Sequence, residues 1–266
     1  MRPLVVPSWE TLAATVPGVS VRWSGSLRWP APGVSSSEIA RLEPHLRTVP
    51  PSARFELSDG GVDPVAATRA LLVAARALGA RIVSGATVTA VRDGEVESTA
   101  GRHPASTVVV AAGVGTAELC PMVTAPASPA FLMRMRAQSG LVRTVVATKA
   151  FEVREAAPGH LLATAPLGAD RSWTGLRSLA GQTLESLRDA FGPGLRLTGW
   201  SIGDRPMPPD GPVIGYVSEG VYVAVMHSGI CLAPAAGRLI AQEIVTGREA
   251  PELSGSHPRG DVPPTA

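Results

Sequence analysis

The chain has 266 residues, 45% hydrophobic and 17% charged, and its 28 glycines and 25 prolines fall well short of a collagenous or disordered composition. Its 24 Lys and Arg against 22 Asp and Glu leave a formal net charge of +2, and the arginines are scattered singly from Arg2 to Arg259, which excludes the basic footprint of a nucleic-acid binder. Cys120 and Cys231 form no CxxC and the five histidines show no metal-ligand spacing, so neither a disulfide framework nor a bound metal is expected.

Met1 to Pro7 carries one basic residue and an apolar stretch cut by proline, too short for a secretory signal core, so a cytoplasmic protein with two reduced thiols is expected. Residues 20–57 read as short strands with one helical turn from Ser36 to Leu42. A stronger signal begins at Gly60-Gly61-Val62-Asp63-Pro64, where Asp63 is placed to cap a helix and Pro64 suits its first position. Val65, Leu71, Leu72, Ala75 and Leu78 give that helix an apolar face, and Gly79 stops it. Arg81-Ile82-Val83 reads as a strand. Thr87–Val91 and Glu95–Thr99 flank Asp93-Gly94, a hairpin signal. The apolar, β-branched run Thr107–Ala111 is expected to be a central strand buried on both faces.

The proline-rich stretch from Pro121 to Pro129 marks a crossing into another region. Leu141–Ala147, Phe151–Arg154 and Leu161–Thr164 read as strands, and Leu179–Phe191 as a helix closed by Gly192-Pro193, an α+β pattern. Residues 195–226 return to strands. The most apolar long window, Val221 to Ile240, contains His227, Ser228, Gly229, Pro234 and Arg238, so it reads as a buried strand, a loop and a helix from Pro234 to Val245, not as a membrane span. The polar, proline-rich residues 248–266 are expected to be disordered.

Three segments carry the residue types of a ligand site. The run Val108 to Thr116 ends a strand in Ala111-Ala112-Gly113-Val114-Gly115, where glycine lets backbone approach a flat or phosphorylated ligand. GxGxxG would need glycine at 118, where Glu118 stands, so a plain strand-to-helix turn is equally open. In Gly203 to Gly215, four prolines stiffen the backbone around Arg205, whose guanidinium suits a bidentate carboxylate grip; pairing with Asp204 or Asp210 is the alternative. The third segment, Val223 to Pro234, is a strand, a small-residue loop and a helix start, with helix N–H groups aimed at the loop or an ordinary packed turn around His227.

In order, Gly61-Val62-Asp63-Pro64, Gly79-Ala80-Arg81-Ile82 with Val88, the Val108–Gly113 strand, Gly203-Asp204-Arg205-Pro206 with Asp210 to Gly215, and His227 to Pro234 resemble the D-amino acid oxidase, glycine oxidase and sarcosine oxidase family of flavoproteins. The resemblance runs from about Trp9 to Gly247 and implies an α/β protein, the two-dinucleotide-fold FAD-dependent oxidoreductase with an α+β substrate part. Residues 1–19, 59–121 and 199–247 would form the FAD-binding domain, and 20–58 with 122–198 the substrate domain. It implies oxidation of a small amine or amino acid (glycine, D-amino acid or sarcosine-like) by hydride transfer to flavin, with oxygen or another electron acceptor following. Arg205 would hold the substrate carboxylate beside His227, and Val88, Ala111, Ala112, Gly113, Ser228, Gly229, Ile230, Cys231 and Leu232 would contact FAD, Cys231 being a candidate for covalent flavin attachment. Family members open with a strand, a GxGxxG turn and a helix, and this chain has no GxGxxG anywhere. It is therefore expected to start past its first βαβ unit and to bind FAD poorly alone. A non-catalytic module that has lost FAD binding is the alternative, and a pyridine-nucleotide dehydrogenase is disfavoured.

Overall fold

A computed structural model describes residues 1–258, the side chain of Arg2 excepted. Local chemistry accounts for the helices. After a 3₁₀ turn at Arg2–Leu4, helix α1 (Val5–Thr15) buries Trp9. Helix α2 (Ser36–Leu42) follows Ser35, whose Oγ accepts the Glu38 N–H. Helix α3 (Pro64–Ala77) starts where expected, because Asp63 Oδ1 accepts the N–H groups of Val65 and Ala66 at 2.9 and 3.0 Å. A short α4 (Thr116–Leu119) follows a 3₁₀ turn at Gly113–Gly115. Helix α5 (Trp173–Phe191) starts earlier than its apolar period predicts, since Ser172 Oγ caps it through the Gly175 N–H at 3.1 Å. Helix α6 (Gly229–Thr246) ends at Gly247, whose left-handed φ of 64° turns its N–H to the Glu243 carbonyl at 2.8 Å.

The strands, in chain order, are β1 (Val21–Arg22), β2 (Ser26–Arg28), β3 (Val34–Ser35), β4 (Ser52–Glu56), β5 (Gly61–Val62), β6 (Val88–Arg92), β7 (Glu95–Ser98), β8 (Gly101–Pro104), β9 (Val108–Val110), β10 (Ala127–Arg136), β11 (Val145–Ala147), β12 (Glu152–Ala157), β13 (His160–Ala165), β14 (Arg196–Pro206), β15 (Val213–Ser218) and β16 (Val221–Val225). Arg81-Ile82-Val83, expected as a strand, is not one; it finds no ladder partner.

One compact unit comprises Gly18–Arg69 and Pro129–Gly203. Its mixed sheet has the order β14-β10-β13-β12-β11-β2-β4-β3, with β11 and β2 parallel and β10/β13, β13/β12, β12/β11 and β2/β4 antiparallel. Alternation sorts the faces: Phe131, Met133 and Met135 enter the core with Leu27, Val146, Val153, Leu161, Ile39 of α2 and Leu187 of α5, while Leu132, Arg134 and Arg136 turn to solvent. Each such fully buried side chain contributes roughly 1.5–3 kcal/mol relative to exposure.

Two carboxylates are buried in this unit. Glu43 accepts the Arg143 N–H at 2.9 Å and the Thr144 hydroxyl at 2.7 Å, yet burial outweighs these donors and raises its pKa. Glu155 is also desolvated. There, however, the N–H groups of Gly140 and Gly159, at 3.0 and 2.8 Å, together with Arg22, overcome that penalty and hold its pKa below the ordinary carboxylate value.

The other unit comprises Met1–Pro17, Ala70–Ser128 and Asp204–Ala266. It holds two three-stranded sheets, β15-β16-β9 and the antiparallel β6-β7-β8, the latter turning at Asp93-Gly94 as the sequence predicts. Strand β9 is not central. Among the described residues it pairs only with β16, and while Val108 and Val110 pack on Cys120, Val123, Val221 and Val223, Val109 is 43% exposed. The disorder expected after residue 247 is also corrected: a 3₁₀ turn at Pro251–Ser256 follows α6, with Ala250 and Leu253 fully buried against Ile214, Tyr222 and Leu239. Residues 259–266 of that expectation lie outside the described residues.

Candidate functional site

The parallel register of β9 with β16 pairs Val108 with Val221 and Val110 with Val223, so both strands end at one edge of their sheet. Ala111-Ala112-Gly113 leaves β9 there, and Met226 to Leu232 leaves β16. Strand β15, antiparallel to β16, begins with Val213 opposite Val225, so Asp210-Gly211-Pro212 arrives at the same edge. Three segments separated in sequence thereby converge at the carboxyl end of parallel strands, the place where open α/β sheets take ligands. Gly113 has φ of 60°, and a Cβ built on it would meet nothing within 4 Å, so the turn borders open space.

Helix α6 starts at Gly229, not at Pro234 as its sequence predicts. Proline in the second turn removes one N–H, the one that would reach the Ile230 carbonyl, without stopping the helix. Gly229 to Leu232 therefore form its first turn. The first intrahelical bond is from the Leu232 N–H to the Ser228 carbonyl at 3.1 Å, and the Ser228 side chain makes no cap, so the N–H groups of Gly229 and Ile230 precede the helical ladder. His227, Ser228, Gly229, Ile230 and Cys231 are exposed and Leu232 is buried. Such a helix end offers donors and a partial positive charge to an electron-rich ring or anion.

Trp9, which the sequence reading passes over, holds this turn from behind: its Nε1–H donates to the Cys231 carbonyl at 3.0 Å. Tyr222, fully buried on β16, donates to Glu243 Oε2 of α6 at 2.5 Å, while the Ala250 N–H and His257 Nε2 lie 2.7 and 3.0 Å from Glu243 Oε1. Burial first, then the Glu243 carboxylate, push the Tyr222 hydroxyl well above its ordinary pKa, so it stays a neutral donor.

Arg205 stands near the end of β14, exposed, with Nε and one terminal nitrogen donating to the Ser128 carbonyl and Oγ at 3.2 and 3.1 Å. Among the described residues its guanidinium is paired with Ser128, not with Asp204 or Asp210. Ser128 thus fixes one edge of the guanidinium, and the edge between its two terminal nitrogens keeps donors for a carboxylate. Val88 opens β6 in the hairpin whose Val91 and Val96 pack on the cluster around Val108 and Val110. Thr116, fully buried at the start of α4, has a hydroxyl with no hydrogen-bond partner, a residue that no motif in the sequence marks.

An exposed helix N-terminus and a braced arginine beside the carboxyl ends of parallel strands belong to the α/β proteins that take ligands at such an edge. Residues 8–243 match the model of the FAD dependent oxidoreductase family, DAO, and the chain belongs to that family. No curated protein sequence matches it. Among solved structures it is similar to an L-amino acid deaminase from Proteus vulgaris (TM-score 0.81, 19% identity, covering 96% of this chain and 78% of that one). It is also similar to L-proline dehydrogenase from P. horikoshii (0.78, 18%, 98% and 83%) and glycine oxidase from Geobacillus kaustophilus (0.75, 20%, 98% and 81%). At these identities the likeness is one of fold: the mixed α/β architecture is that of this family of FAD-dependent oxidoreductases acting on amino acids and amines. Among the described residues no helix is long and apolar enough to cross a membrane.

Proposed function

We propose that this chain oxidises a small amine or amino acid with FAD at the carboxyl edge of β9 and β16. The observation that carries this reading is the parallel register that sets the Ala111-Ala112-Gly113 turn beside the first turn of α6. The residues there fit the ring end of a flavin: an open glycine turn, the N–H groups of Gly229 and Ile230 at the helix start, and exposed residues from Ser228 to Cys231. Ala111, Ala112, Gly113, Ser228, Gly229, Ile230, Cys231 and Leu232 would hold the cofactor, with Val88 contributing backbone contact. When bound, the cofactor's chemistry is acceptance of a hydride from the substrate carbon bearing the amine.

The protein's own work is positioning. Arg205, oriented by Ser128, binds the substrate carboxylate through its remaining donors, and the N-terminal turn of α6 lends positive charge to the region where negative charge develops. His227, exposed where β16 gives way to α6, borders the substrate side. Anaerobic mixing of the FAD-supplemented chain with glycine, sarcosine and D-amino acids should bleach the flavin absorbance, and oxygen uptake then tests oxygen as the acceptor. Arg205→Lys should lower kcat/KM for carboxylate substrates at least about tenfold more than for amines lacking the carboxylate, because lysine cannot make the planar two-point contact. Equal losses for both substrate types would remove Arg205 from the role.

A further inference from the structure

The outer face of the sheet in the Gly18–Arg69 and Pro129–Gly203 unit carries a pair of charges that the fold itself does not explain. In the antiparallel pairing of β2 with β4, Arg28 stands directly opposite Arg54, so the two side chains leave the sheet on the same face as nearest cross-strand neighbours. Both are exposed, on the side opposite Leu27, Ala53 and the core. Like charges at directly opposed positions are destabilising, and sheets ordinarily relieve them with an acidic neighbour. Three carboxylates lie near: Glu56, which accepts the Ser58 hydroxyl; Asp59, which accepts the Ser26 hydroxyl at 2.6 Å; and Glu152, two strands away across Ala147. None is ion-paired with either arginine, and neither guanidinium donates a hydrogen bond among the described residues.

The same face carries the exposed Arg134 and Arg136 on β10 and, on β12, Arg154, whose guanidinium is engaged by the Val62 carbonyl at 2.7 Å. Ala147, beside Arg28 in the β11–β2 register, is buried, so the exposed part of this face at the pair is the two arginines themselves. Two cross-strand neighbouring guanidiniums without an ion-paired carboxylate match a ligand carrying two negative charges, and the planar fork of each suits a carboxylate.

We propose that Arg28 and Arg54 form a binding site for a small dicarboxylate, one arginine to each carboxylate, on the outer face of this sheet. The site needs no flavin and no turnover. Its test is equilibrium binding to the full chain, read by calorimetry and by the ligand-induced shift in Tm at low salt, with succinate, acetate and inorganic phosphate as probes. Succinate should bind at least about tenfold more tightly than acetate or phosphate, and Arg54→Gln and Arg28→Gln should each weaken it by about tenfold or more. Each variant should also melt at a higher temperature than the parent in the absence of ligand, because the like-charge contact is gone. Phosphate binding as tightly as succinate would overturn the dicarboxylate assignment. Succinate affinity unchanged in both variants would overturn the site, as would ligand-free melting temperatures that fall.

Discussion

Asp63 could be placed from sequence because a cap reads only its own next turn, and the two N–H groups it accepts lie within three residues. Glu155 could not: its donors are Gly140, Gly159 and Arg22, brought together by the sheet. Because these donors hold its carboxyl below the unfolded value near 4.5, the folded state gives up that proton more readily than the unfolded chain. The resulting stability is complete above the unfolded pKa and is lost as pH falls through the lower, folded value. Glu155→Gln is expected to cost about 1–3 kcal/mol at neutral pH and much less in acid, so its Tm should approach that of the parent as pH drops. Thermal melts across the acid range check this. Glu43, whose pKa moves the other way, is common to both proteins and cancels in the comparison.

Among the elements, those with a strong period or turn signal were readable in advance: α2, α3 and the β6–β7 hairpin stand where residue patterns place them. Those set by tertiary partners were not. Strand β9 has the composition of a central strand but lies at an edge, and the first turn of α6, ahead of its proline, is held by Trp9 from outside its own sequence. Trp9→Phe keeps most of the buried ring but removes the donor to the Cys231 carbonyl, and it should lower stability by about 1 kcal/mol in urea titrations. Ser172→Ala should cost about as much by uncapping α5, so the two together separate bracing at the proposed site from ordinary helix capping.

At the scale of the whole molecule, the convergence of Ala111–Gly113 with His227–Leu232 could be proposed only through family resemblance, since no local pattern relates β9 to β16. The resemblance also sets an expectation for the cofactor. With no GxGxxG in these 266 residues, the purified chain should retain little FAD, and flavin should be recovered in well under equimolar amount by absorbance of the denatured supernatant. A protein that purifies yellow and fully loaded would show that another segment holds the pyrophosphate. The exposed flank of β9 adds that the chain should self-associate as concentration rises, detectable by sedimentation. The pairing of β9 with β16 also bears on synthesis. One strand leaves the ribosome well before its partner is translated, and between them passes most of the sheet of the other unit. A nascent chain stalled after residue 203 would hold every strand of that sheet except the last residues of β14, yet still lack the strand that completes the proposed site. The order of translation therefore favours a protein whose scaffold forms first and whose proposed site closes last.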